Sequence, residues 1–139
     1  MLLPIPFISI RSSAMARSFL AVAVVAASSL LIVLPARAQN AENGQKAFKQ
    51  QCGLCHDVAA GKNRVGPSLS GVVGRKAGGV DGFHYSDGNK NSGLTWDQAT
   101  LDKYLADPRG TVPGTTMTYA GVKNEEQRKD IIAYLATLH

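Results

Sequence analysis

Three stretches of this chain place apolar residues at helical spacing, and the rest is irregular. Ala41 to Cys52 is mostly polar and sets Gly44 and Phe48 on one face, four positions apart. A second helix opens at Thr95, where Thr95-Trp96-Asp97-Gln98 reads as a capping box. It continues through Leu101, Tyr104 and Leu105 until Asp107-Pro108 stops it. A third is capped by Asn124 with Gln127 at the box position, and Ile131, Ile132, Tyr134, Leu135 and Leu138 form its apolar stripe. No strand alternation competes with these, so the pattern predicts an all-α domain.

A different apolar pattern lies upstream. Phe19 to Leu34 is an unbroken run of apolar and small residues, preceded by Arg17 and followed by Pro35-Ala36-Arg37-Ala38-Gln39. A charged start, a hydrophobic stretch and an A-x-A site predict a signal peptide over 1–38, cleaved after Ala38. Met15 opens a leader of ordinary length, so 1–14 reads as an extended start or an unusual leader. The run falls short of the roughly 18 residues that argue for a membrane span, which leaves an uncleaved anchor as the alternative. Export implies a periplasmic location for the remaining domain, 39–139.

Removing the leader changes the charge. The whole chain carries a net +5, but Arg11, Arg17 and Arg37 leave with the leader, so 12 basic residues face 10 acidic ones, a net of +2. Nucleic-acid binding loses its electrostatic support. A domain of this size has a marginal core unless something adds to it. Residues 57–94 are dense in Gly, Lys, Asn and Ser, and so long an irregular segment needs an organising centre.

Cys52-Gly53-Leu54-Cys55-His56 holds the chain's only two cysteines and supplies that centre. The C-x-x-C-H spacing lets two thiols reach the two vinyl groups of one porphyrin and puts an imidazole under its iron. Three other readings compete. A thiol-redox C-x-x-C expects a strand leading into the helix it caps, whereas a polar helical stretch precedes this one. A zinc site expects about four ligands, and no second cysteine pair exists. A disulfide across so short a loop would add little stability. A covalent c-type haem is the leading reading. Met117 becomes the sole methionine once the leader is gone. It sits in Val112-Pro113-Gly114-Thr115-Thr116-Met117, an extended stretch bracketed by Pro and Gly, where a methionine is either a presented ligand or a gap-filler.

The motifs together resemble class I cytochrome c of the mitochondrial and soluble bacterial type, across nearly all of Ala41 to Leu138. They are CGLCH, Val65-Gly66-Pro67-Ser68-Leu69, Val73-Gly74-Arg75-Lys76, Gly82 to Asp87, Asn89-Lys90-Asn91, Leu94-Thr95-Trp96, PGTTM, and Ile131 to Leu135. The resemblance implies three main helices with long Gly-rich loops around one haem c, attached through Cys52 and Cys55 and ligated by His56 and Met117. It implies that the Pro67 carbonyl orients His56 and that Arg75, Tyr85 and Trp96 hold a buried propionate. Tyr104, Thr115 and Asn89 would form a polar cluster beside the methionine, and Gly44, Phe48, Ile131 and Tyr134 the crossing of the first and last helices. Plain helical core is the other reading of Tyr104 and Tyr134.

The same resemblance implies a soluble, monomeric one-electron carrier and not an enzyme, with a potential raised by Met/His ligation. Its partners would be membrane complexes met by transient docking: a quinol–cytochrome c oxidoreductase, and a terminal oxidase or photosynthetic reaction centre. A haem peroxidase or ligand-binding cytochrome is the alternative from another class, and a dedicated acceptor of one periplasmic dehydrogenase differs only in partner. The chain departs from the family at Thr116, Gln51 and Asn124, where lysine is common. That weakens a lysine ring and removes at 116 one candidate to replace methionine at alkaline pH. Arg64, Arg109, Lys123 and Lys62 remain for a weaker basic face, and His84 and His139 read as a solvated loop residue and a frayed end.

Overall fold

The computed structural model describes residues 39–139. The leader, its cleavage after Ala38 and the choice between Met1 and Met15 lie outside the described residues. Among the described residues the fold is helical, with α1 Ala41–Gln51, α2 Asp87–Asn91, α3 Gln98–Ala106, α4 Pro108–Thr111 and α5 Glu125–Leu135. No helix among them is long and apolar enough to cross a membrane.

The three expected helices are present, and each begins where a short polar side chain takes the free amides of the first turn. Asn40 accepts from Glu42 and Asn43, and Asn124 accepts from Gln127. The second helix starts later than its sequence suggests. Its cap is Asp97, accepting from Thr100 N at 2.7 Å, because Thr95 and Trp96 are drawn into an isolated antiparallel bridge with the 75–76 stretch. Two short helices escaped the periodicity. α2, capped by Ser86, and α4, with Pro108 in its first turn beneath the Asp107 cap, are too brief to show an apolar stripe. The Leu138 end of the predicted stripe lies beyond α5 and is still packed on the core.

α1 and α5 cross at Gly44. A Cβ there would stand 1.9 Å from Asp130 O and 2.9 Å from Tyr134 Cβ, so only glycine lets the two backbones approach this closely. Phe48 and Tyr134 meet beside it with centroids 5.4 Å apart, and Ile131 is fully buried. α3 packs on α5 and adds Leu101, Tyr104 and Leu105 to the core. The buried Arg128 of α5 fastens these elements. Its Nε donates to Asp102 Oδ1 at 2.7 Å and its Nη1 to Val122 O at 3.0 Å, which ties α5 to α3 and to the segment before α5.

Candidate functional site

Three walls enclose one cavity of about 300 Å³. The first is the end of α1. Cys52 and Gly53 both donate to Phe48 O, and Cys55 and His56 donate to Cys52 O at 3.0 and 2.9 Å. These bonds coil the chain so that Cys52, Cys55 and His56 all line the cavity.

The second wall is zipped to the first. Gly66 N donates to Cys55 O at 2.8 Å and Leu69 N to Asp57 O at 2.9 Å. Pro67 O is thereby set 2.8 Å from His56 Nδ1. A carbonyl can only accept, so Nδ1 carries the proton and Nε2 keeps its lone pair for a metal. Burial holds the imidazole pKa below its usual value, with the Pro67 bond acting against it, so it is burial that favours the neutral ring a ligand requires. Gly66, which enters the sequence reading only as part of the Val65–Leu69 motif, has a role of its own. A Cβ on it would lie 2.3 Å from His56 Cε1 and 2.6 Å from Nδ1, so the imidazole packs directly on glycine backbone. Nothing in local spacing signals that contact.

The third wall is the non-helical stretch after α4. Tyr104 OH lies 3.3 Å from Met117 Sδ and 3.2 Å from Thr115 Oγ1, while Met117 N donates to Thr115 Oγ1 at 3.2 Å. With Tyr104 donating to sulfur and Thr115 to Tyr104, the donors and acceptors run in one closed ring that aims the thioether. Asn89 also lines the cavity, but its amide oxygen accepts from Ser86 Oγ at 3.1 Å, so it serves the cap of α2 while Tyr104 and Thr115 pair with each other.

Arg75, Tyr85 and Trp96 line the same cavity. Arg75 Nη1 donates to Ser70 O at 2.7 Å and Nη2 to Ser68 O at 2.9 Å. Burial lowers the pKa of this guanidinium, and burial raises that of the Tyr85 hydroxyl against its bond to Val80 backbone and the nearby Arg75 charge. A neutral hydroxyl beside a cation is a donor pair suited to a carboxylate drawn out of water. Trp96 packs its ring 4.7 Å from that of Tyr104, which joins this end of the cavity to the thioether end.

The outer rim is mixed. Leu54 and Val65 are the exposed large hydrophobic residues among the described residues, at 74% and 79%. Of the basic residues expected near it, Arg64 Nη1 donates to Gly53 O at 2.8 Å and Lys123 Nζ to Ala106 O at 2.7 Å, while Lys62 and Arg109 are exposed. His84 is exposed, whereas the carbonyl of His139 accepts from Ser70 Oγ at 2.9 Å, so the chain end is tied where a frayed terminus was expected.

A family model described as Cytochrome c matches residues 41–139. The chain belongs to the cytochrome c family. The cytochrome c2 of Blastochloris viridis is 50% identical over 104 residues, covering 74% of this chain and 81% of that protein. The cytochrome c2 of Rhodomicrobium vannielii is 57% identical over 97 residues, covering 69% of this chain and 77% of that protein. Among solved structures, cytochrome cH from Methylobacterium extorquens superposes with a TM-score of 0.66 at 54% identity, covering 70% of this chain and 98% of that one. As a cytochrome c, the protein is an electron carrier with one covalently bound haem c. Its cavity fits that group by the chemistry of its donors: two free thiols, an imidazole with one nitrogen open, a thioether, and a cation with a phenol for a carboxylate.

Proposed function

We propose that this cytochrome c attaches its haem through Cys52 and Cys55, ligates the iron through His56 Nε2 and Met117 Sδ, and works as an exported, monomeric shuttle between membrane redox complexes. The observation that carries the reading is the gathering of all four groups on one cavity, with His56 Nδ1 already committed to Pro67 O. The bound group supplies reversible one-electron chemistry at iron. The chain's part is to orient both axial donors, keep water away and provide a docking rim. Pro67 fixes the imidazole and strengthens it as a donor. The Tyr104–Thr115 ring holds the thioether, with Asn89 of α2 lining the same cavity, and Arg75, Tyr85 and Trp96 take a buried propionate.

With His56 and Met117 both given to the metal, a substrate would have no place there, which favours electron transfer over peroxidase chemistry. A thiol-redox role is disfavoured because burial, reinforced by the neighbouring Cys55, pushes the Cys52 thiol up to about 11. A working redox pair needs the opposite shift. Val65, which lines the cavity, and the exposed Leu54 of the attachment turn suit a small, dissociable encounter of under ~1,200 Å². The complexes proposed are a quinol–cytochrome c oxidoreductase as donor and a terminal oxidase or photosynthetic reaction centre as acceptor, with Lys62 and Arg109 giving modest charge steering. The periplasm is the proposed compartment, reached through a leader spanning 1–38.

The purified ferric protein tests this directly. The far-red charge-transfer band of methionine sulfur bound to ferric iron is the expected result, together with a mass that places the new N-terminus after Ala38 and includes one haem. Absence of the band, or carbon monoxide binding by the native ferrous protein, would overturn the Met117 assignment.

A further inference from the structure

The stretch that carries Met117 has no helix of its own between α4 and α5, so its position depends on individual ties. Most run back to the α3–α4 side: Thr115 N to Val112 O, Tyr104 OH to Met117 Sδ, Val122 N to Leu105 O, and Lys123 Nζ to Ala106 O. One crosses to the other side of the cavity. Tyr119 OH donates to Gln51 Oε1, joining residues 68 apart in sequence. Gln51 is the last residue of α1 and precedes Cys52, Tyr119 lies two residues after Met117, and both line the cavity. Both side chains are half-buried.

We infer that Tyr119 and Gln51 form a latch between the thioether segment and the haem-attachment turn, a positioning pair that sets how often the cavity opens on the Met117 side. The inference rests on Met117 being the sixth ligand and deepens that reading. An external ligand for the iron must wait for this segment to swing away, so its apparent affinity scales with the population of the open form. Removing one neutral hydrogen bond raises that population by about two- to tenfold.

The test uses the ferric holoprotein, with imidazole as the probe, in wild type, Tyr119→Phe, Gln51→Leu and the double variant. Tyr119→Phe keeps the ring and its packing and removes only the hydroxyl. The expected result is a methionine–iron band in the wild type, and an imidazole association constant raised about two- to tenfold by either single change. The double variant should match a single one, because the two act through one bond. Amide exchange at 117–120 should quicken correspondingly, while that of Ile131 in the α1–α5 crossing should not. Unaltered imidazole binding in Tyr119→Phe, or effects that multiply in the double variant, would overturn the latch. A wild type without the band would instead overturn the ligand assignment beneath it.

Discussion

One methyl group added at residue 66 measures how tightly the imidazole is seated. The backbone of Gly66 lies outside the left-handed region, so alanine is conformationally permitted there and the cost is steric. The new Cβ would stand 2.3, 2.6 and 2.8 Å from His56 Cε1, Nδ1 and Nε2, whereas ordinary contact begins near 3.4 Å, so one side must retreat by about 1 Å. Neither yields easily. Gly66 is pinned through its N–H to Cys55 O at 2.8 Å and its carbonyl to Arg64 N at 2.9 Å, and the ring is pinned to Pro67 O. Overpacking of this kind costs about 1–3 kcal/mol. Taking ~2 kcal/mol for Gly66→Ala, thermal unfolding of the holoprotein should begin about 8–16 °C lower. The reduction potential should rise as well, because a displaced imidazole that loses its bond to Pro67 donates less to ferric iron. Circular dichroism melts and voltammetry of the two proteins read both effects. A melting point within about 2 °C of wild type with an unchanged potential would refute the claim that His56 is held against residue 66.

The site and core make further commitments. Met117→Ala should keep the haem attached but lower the potential and admit carbon monoxide to the ferrous form, and unchanged voltammetry would contradict the ligand assignment. Cys52→Ser or Cys55→Ser should abolish or weaken haem staining of the denatured chain on a gel, since each removes one covalent link. Gly44→Ala gains about 1 kcal/mol of helix propensity but drives a Cβ into Asp130 O at 1.9 Å, so a net loss of about 1–3 kcal/mol should appear as a lower denaturant midpoint. Equal midpoints would mean that the α1–α5 crossing can open at no cost.

The helices could be read from regular spacing, whereas their crossing and most of the site residues came from the resemblance to class I cytochrome c. Gly44, Phe48, Ile131 and Tyr134 sit at helical periods and meet in the structure, and Leu101, Tyr104 and Leu105 are buried as their stripe requires. The C-x-x-C-H turn was legible because its chemistry is local. The start of α3 was misplaced because a capping box at Thr95 is sound local chemistry that a non-local bridge to Lys76 overrides. α2 and α4 are shorter than the period needed to detect them. Gly66 stands in a family motif and Gln51 at a departure from lysine, but the contacts of Gly66, Gln51 and Tyr119 carried no local signal, since they join residues that are irregular or distant.

The long segment 57–94 shows how the polar remainder does its work. The sequence offers no core for it, and a central cofactor was the obvious organiser. The structure adds a second one. Gly74 N donates to Trp96 O, Trp96 N to Arg75 O and Ala77 N to Leu94 O, while Gly71 N reaches Leu138 O at the end of the chain. Arg75 clasps Ser68 and Ser70 carbonyls with its two terminal nitrogens, and Ser68 Oγ is tied to Ala59 O. These bonds satisfy backbone groups that would otherwise be stranded beside an apolar cavity, which is the main cost of an irregular wall. They also place Arg75 and Trp96 at the cavity independently of any carboxylate those residues hold. An arginine already fixed by two carbonyls loses little side-chain freedom when it takes up a third partner, so the entropy of ordering it is charged to the fold and not to cofactor binding. The glycines and serines that look like filler are thus what allows a helical protein with a modest core to present a preformed site.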